Sequence, residues 1–255
     1  MSNNSNLIYI DLETVIDTSP GAKERILSEL KPPGNISKPE TIAKWWQDKA
    51  PGIAEEQLLK TGLNPMYGSI ISISWAFNAK PVEGIIRKLN ESEKELIEAF
   101  YDVLLDTNTD YLKWIAYPIR FDLPFLLKRS IINNVRPPIG IPDERSKNAF
   151  CPMNWWHGWH IHDGNSSLDT LCKTLGIPGK GDMTGKDVWP AIQAGKYEKV
   201  LAYNKSDVEM LRQVHRRLKF LDWIPEDPKE EVAIANEEDA KLNDSGFFDK
   251  VLENA

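Results

Sequence analysis

Leu7-Ile8-Tyr9-Ile10-Asp11-Leu12-Glu13-Thr14 is the stretch on which the reading of this chain turns. Leu7 to Ile10 is an unbroken apolar run rich in strand formers, the pattern of a central strand covered on both faces. Side chains alternate along a strand, so Asp11 and Glu13 point the same way and Leu12 the opposite way. Two like charges that close repel, and burial adds a desolvation cost. A divalent cation held by hard oxygen ligands offsets both. The other reading is a strand running out into solvent, with both acids at its wet end. Further carboxylates elsewhere in the chain decide between the two.

Working outward, residues 17–66 form an excursion punctuated by Pro20, Pro32, Pro33, Pro39, Pro51 and Pro65. Short helical stretches fall near 22–30, 40–48 and 54–61. The excursion is too long for a hairpin loop and too patterned for a linker, so it reads as a helical insertion packed beside the first strand. Trp45-Trp46 is expected to anchor that insertion to the core. Strands are predicted at 69–77 and within 81–89, followed by an amphipathic helix over 92–105 capped by Ser92. Another strand follows at 111–117. Three strands, a helix and a strand suit a mixed α/β sheet.

A second acid follows. Asp122 lies where a strand runs into a helix, fits an N-cap, and has Pro124 in the first turn behind it. Taken alone it is an ordinary helix cap, yet ligands of open α/β sheets gather at that end of the strands. Residues 133–165 are a poorly patterned loop holding Trp155, Trp156 and Trp159, and also Cys151, His157, His160 and His162. That spacing matches no familiar zinc pattern, and the aromatics with Arg136 and Lys147 are read as loop packing or a groove wall. Short helices are predicted at 167–176 and 186–193, with Lys180 between them as a phosphate contact. The last helix, 197–220, carries Val200, Leu201, Val208, Leu211, Val214 and Leu218 at core spacing. Tyr203 and Asp207, four apart, stack on one side of it, beside the apolar stripe.

Asp11-x-Glu13 on a first strand, Asp122 after a later strand and Tyr203-x-x-x-Asp207 on a last helix together resemble the DEDD exonuclease family. This is the ribonuclease-H-like group that includes the proofreading domains of DNA polymerases. The resemblance spans residues 5–220 and implies an α/β fold: a mixed sheet flanked by helices, with the insertion after the first strand. It divides the chain into an exonuclease domain, 1–221, and a tail, 222–255. The family's branches differ in their last motif, and Tyr203, with Ala202 where the other branch has histidine, is similar to the tyrosine branch. One departure stands out. Tyr117-Pro118 occupies the place of a His-Asn pair that members often carry, which bears on substrate positioning.

The resemblance implies hydrolysis of phosphodiester bonds from the 3′ end with two divalent cations, Mg²⁺ or Mn²⁺. Asp11 would bridge the ions, Glu13 and Asp207 would complete the first, and Asp122 would help hold the second. Tyr203 would orient the attacking water. Thr14 and Phe121, adjacent to the ligands, would contact the terminal nucleotide. The expected partner is nucleic acid, DNA ahead of RNA. An exoribonuclease of the same mechanism and a non-cleaving module that binds nucleic-acid ends are the alternatives.

Charge allows such a partner. The net charge is −7, but residues 222–255 hold 11 acids and 3 lysines, a net of −8, which leaves +1 on residues 1–221. A near-neutral body can still carry a local basic groove. The acidic tail, with Gly246 to Leu252 as an apolar patch, is expected either to dock on a replication or repair partner or to pack back on the body. No apolar run is long enough to span a membrane, the first residues are not a secretory signal, and two cysteines suit a reducing compartment. The expected location is therefore the cytoplasm.

Overall fold

The computed structural model describes residues 6–106, 112–158, 166–179 and 181–221. The tail, Lys180, His160, His162 and Trp159 lie outside these, and so do the expectations attached to them. The chain divides at His215 and Arg216, within the last helix, into two compact units; the fold below is that of the first.

Five strands form one sheet: β1 (Leu7–Val15), β2 (Ser69–Phe77), β3 (Glu83–Ile86), β4 (Lys113–Ile115) and β5 (Ala149–Phe150). Their order is β3-β2-β1-β4-β5, so the opening stretch is the central strand. β2 runs antiparallel to β1 along its whole length, whereas β4 is parallel to β1 and β5 parallel to β4. The mixed sheet with flanking helices is the architecture expected from the order of elements. β5 was not foreseen, since two residues carry no periodicity.

The two faces of β1 are used differently. On one, Ile10 lies beside Trp75 of β2, and Trp75 packs on Phe100 of α4 (Glu93–Leu105) with ring centroids 5.3 Å apart. Glu93 of α4 is buried. It accepts the Ile70 main-chain N–H at 2.7 Å, Arg129 Nε at 2.9 Å and Asn133 Nδ2 at 2.8 Å, tying β2, α4 and the C-terminal end of α5 (Ile119–Ile132) together. On the other face, Tyr9 and Asp11 meet α9 (Tyr197–Leu218): the Tyr9 hydroxyl lies 2.9 Å from His215 Nδ1.

The register slips once. Glu13 pairs with Ser72 but Thr14 with Ile70, so Ile71 is an extra residue on β2. Such a bulge redirects a side chain. Ile71 joins a buried cluster with Val15, Met183, Val200, Tyr203 and both Val188 and Ile192 of α8 (Gly185–Gln193). The bulge therefore helps seat α9 beside the two acids of β1.

The insertion comprises α1 (Ala22–Glu29), α2 (Pro39–Asp48), α3 (Ala50–Lys60) and a single 3-10 turn, Thr61–Leu63. Thr14 Oγ1 donates to the Gly62 carbonyl at 2.7 Å, which joins that turn to the end of β1. The tryptophans do not anchor it. α2 buries no residue, Trp46 is exposed, and Trp45 and Trp46 pack edge to face on each other 5.0 Å apart. The buried apolar residues of the insertion are instead Ala22 and Ile26 of α1 and Ala50 and Ala54 of α3, two helices in contact with each other. The first helical turn near the second acid also differs from expectation. α5 begins at Ile119 with Pro118 as its cap, so Asp122 sits inside the helix and Pro124 lies beyond the first turn.

Candidate active site

Three of the expected acids converge. Ligand oxygens of Asp11, Glu13 and Asp207 all lie within 4.8 Å of one another, two from β1 and one from α9. The i, i+2 alternation of the strand sets Asp11 and Glu13 on one face, and the core stripe of α9 sets Asp207 against that face. Carboxylates this close are mutually repulsive, and hard oxygen donors in this number suit Mg²⁺ or Mn²⁺.

Asp122 stands beside the trio rather than in it. It is 2 % exposed, and its Oδ1 accepts the Leu12 main-chain N–H at 3.1 Å. Its Oδ2 is buried with no hydrogen-bond partner. Burial pushes its pKa up to about 7, and the nearby charge of Asp207 adds to this, while the Leu12 hydrogen bond pulls the other way. A buried carboxylate oxygen with no donor, next to three more carboxylates, fits a site built to meet a cation.

Tyr203 is buried, hydrogen-bonded to Asp207, and lifted well above the usual phenol range. Burial is the largest cause, followed by the charges of Asp207, Glu13 and Asp11. The proton on its phenol is therefore held more firmly than in an exposed tyrosine. A cavity of about 230 Å³ opens beside it, lined by Gly181, Asp182, Met183, Lys199, Tyr203, Ser206 and Asp207.

The two expected nucleotide contacts are placed less directly. The Thr14 hydroxyl is turned to the insertion through Gly62. Phe121 is half-buried with its ring 5.3 Å from that of Phe125, one turn along α5. Around Tyr117-Pro118, a cis bond, the Tyr117 hydroxyl donates to the Ser166 carbonyl at 2.6 Å. Burial raises its pKa to about 12. Of the loop's cysteine and its described histidine, burial pushes the Cys151 thiol up, and His157 Nε2 is engaged with Ser166 Oγ at 2.8 Å. Short helix α6 (Pro152–His157) and α7 (Leu168–Thr174) frame this loop.

Asn204 escaped the sequence reading. It is fully buried beside Tyr203, its Nδ2 donates to Asp11 Oδ2 at 2.7 Å, and its Oδ1 accepts from Ser72 Oγ at 2.8 Å. The one available hint was the run of serines, Ser69, Ser72 and Ser74, in an otherwise apolar strand.

Among solved structures, the chain is similar in fold to the family B DNA polymerase from the hyperthermophilic archaeon Pyrobaculum calidifontis. The TM-score is 0.54 at 13% identity, covering 85% of this chain. The match takes in only 25% of the polymerase, so this chain corresponds to about a quarter of that protein. No curated protein matches. Residues 63–222 match a family described as predicted 3′-5′ exonucleases related to the exonuclease domain of PolB. The matched span includes Asp122, Tyr203 and Asp207, while Asp11 and Glu13 precede it and enter the site through the sheet. The chain belongs to this family of predicted 3′-5′ exonucleases and has a ribonuclease-H-like fold.

Proposed function

We propose that this protein removes nucleoside monophosphates from the 3′ ends of single-stranded or frayed DNA, using two divalent cations and a tyrosine-branch DEDD site. The observation that carries this reading is the convergence of Asp11, Glu13 and Asp207 within 4.8 Å, on a chain of exonuclease family. Asp11, Glu13 and Asp207 would hold one ion, and Asp11 with Asp122 the other. Cations held there would supply charge neutralisation at the phosphoryl oxygens and a water of lowered pKa. The chain's own part is positioning. Tyr203 directs its only proton to Asp207, which leaves its oxygen lone pairs to accept from the attacking water and aim it. Asp122, closed off from solvent, keeps bulk water from one side of the reacting phosphate.

The test compares DNA and RNA oligonucleotides, single and double stranded, labelled at either end, in Mg²⁺ and in Mn²⁺. Stepwise shortening of 5′-labelled single-stranded DNA, lost in Asp11→Ala and Asp207→Ala, is the expected result. Preference for RNA would reassign the substrate to an exoribonuclease. Binding of the strand without cleavage in either metal overturns the enzyme reading in favour of an end-binding module.

A further inference from the structure

We infer that Asn204, itself set by Ser72, is a positioning residue that fixes the Asp11 carboxylate for cation binding; this rests on the metal reading above. Asp11 is the residue asked to serve both ions, and it lies among two other carboxylates that repel it. Without a restraint, rotation about its two side-chain bonds would relieve that repulsion and carry it away from Glu13 and Asp207. The Asn204 amide opposes this. Its Nδ2 donates to Asp11 Oδ2 at 2.7 Å, from a side chain with no exposed surface.

The orientation of the amide is decided by its surroundings. Turned over, it would set a carbonyl oxygen 2.7 Å from a carboxylate oxygen, two acceptors in contact. Ser72 Oγ, also fully buried, lies 2.8 Å from Oδ1 and 3.0 Å from the Ile85 carbonyl; the two oxygens share its single proton, and the shorter contact, to Oδ1, supports the orientation that Asp11 sets. Ser72 lies directly across the sheet from Glu13. The relay therefore runs from β2 through α9 to β1, crossing all the elements that bring the trio together. A neutral donor holds Asp11 in place while leaving the net charge of the site unchanged, which an arginine or lysine there would not.

Removing the outer partner of a metal ligand costs roughly 10–100-fold in metal affinity. The experiment is Mn²⁺ titration of the full-length protein, followed by electron paramagnetic resonance. The variants are Asn204→Ala, the nearly isosteric Asn204→Leu, Ser72→Ala and the Ser72→Ala/Asn204→Ala pair, with melting in chelator to compare folding. Expected are about 10–100-fold weaker Mn²⁺ binding for both Asn204 variants and a smaller loss of the same sign for Ser72→Ala. The double variant should be no weaker than Asn204→Ala alone, because Ser72 acts through Asn204. Wild-type Mn²⁺ affinity in Asn204→Leu, or additive losses in the double variant, overturns the positioning role. Wild-type protein that binds no Mn²⁺ overturns the metal reading itself, and this inference with it.

Discussion

The main-chain N–H of Leu12 donates to Oδ1 of Asp122, 110 residues away, and the second oxygen of that carboxylate is buried without a donor. The fold thus offers little solvation to a charge on this side chain. With a pKa pushed up to about 7, against about 3.9 for an unfolded aspartate, Asp122 prefers to be protonated in the folded chain. Its contribution is fully present below the unfolded value and is lost as pH rises through the folded one. In chelator, the melting temperature of the wild type should therefore fall between pH 5 and pH 8. The fall should be smaller in Asp122→Asn, which should also lack nuclease activity. Equal falls in both proteins would show that Asp122 is ionised at ordinary cost.

Cations should repair that destabilisation. Binding only to the folded state contributes about 2.7 kcal/mol at 100 times Kd. Added Mn²⁺ should raise the melting temperature of the wild type and leave Asp207→Ala nearly unmoved. Scanning fluorimetry across a metal series measures this, and a shift equal in both proteins would place the metal elsewhere.

On the proposed function, Tyr203→Phe would remove the oxygen that aims the water but no cation ligand. We expect kcat to drop by about 10²–10³-fold, the cost of losing one oriented hydrogen-bonding group in a site, with the Mn²⁺ shift in melting retained. Because Tyr203 holds its proton well above the usual phenol range, the wild-type rate should show no alkaline limb from this residue up to pH 10. A limb that vanishes in Tyr203→Phe would make the tyrosine a base.

Asp17, at the exit from β1, provides a control away from the chemistry. Burial alone would raise its pKa, but hydrogen bonds from Ser19 and Arg25, the latter at 2.6 Å, outweigh it and leave the carboxyl below its usual range. Stability from a depressed carboxylate is present above the unfolded value of about 3.9 and is lost as pH falls through the folded one. Asp17→Ala should cost about 0.5–1.5 kcal/mol at pH 7, the net worth of hydrogen bonds whose partners, Ser19 and Arg25, return to solvent. In urea melts that cost should shrink at pH 3; a constant cost would assign it to packing.

What could be seen in the sequence was whatever repeats or clusters locally. The apolar run before Asp11 identified the central strand, and the stripe of Val200, Val208 and Leu211 identified the helix that carries Tyr203 and Asp207. Features set by distant contacts were hidden. Asp122 looked like a cap because nothing nearby in sequence reveals that Leu12 supplies its hydrogen bond. Trp45 and Trp46 looked like core because large aromatics usually are, yet α2, which carries them, buries no residue, while α1 and α3 bury alanines and Ile26. Asn204 is an unremarkable polar residue on a helix until β2 is laid beside it.

The relay between Asn204 and Asp11 spans 193 residues of chain. During synthesis, the first strand leaves the ribosome long before the helix that completes its carboxylate trio exists. On the proposed function, a nascent or truncated chain is chemically silent, and the ability to cut appears only when the last helix docks. On that reading, timing is written into the order of the segments.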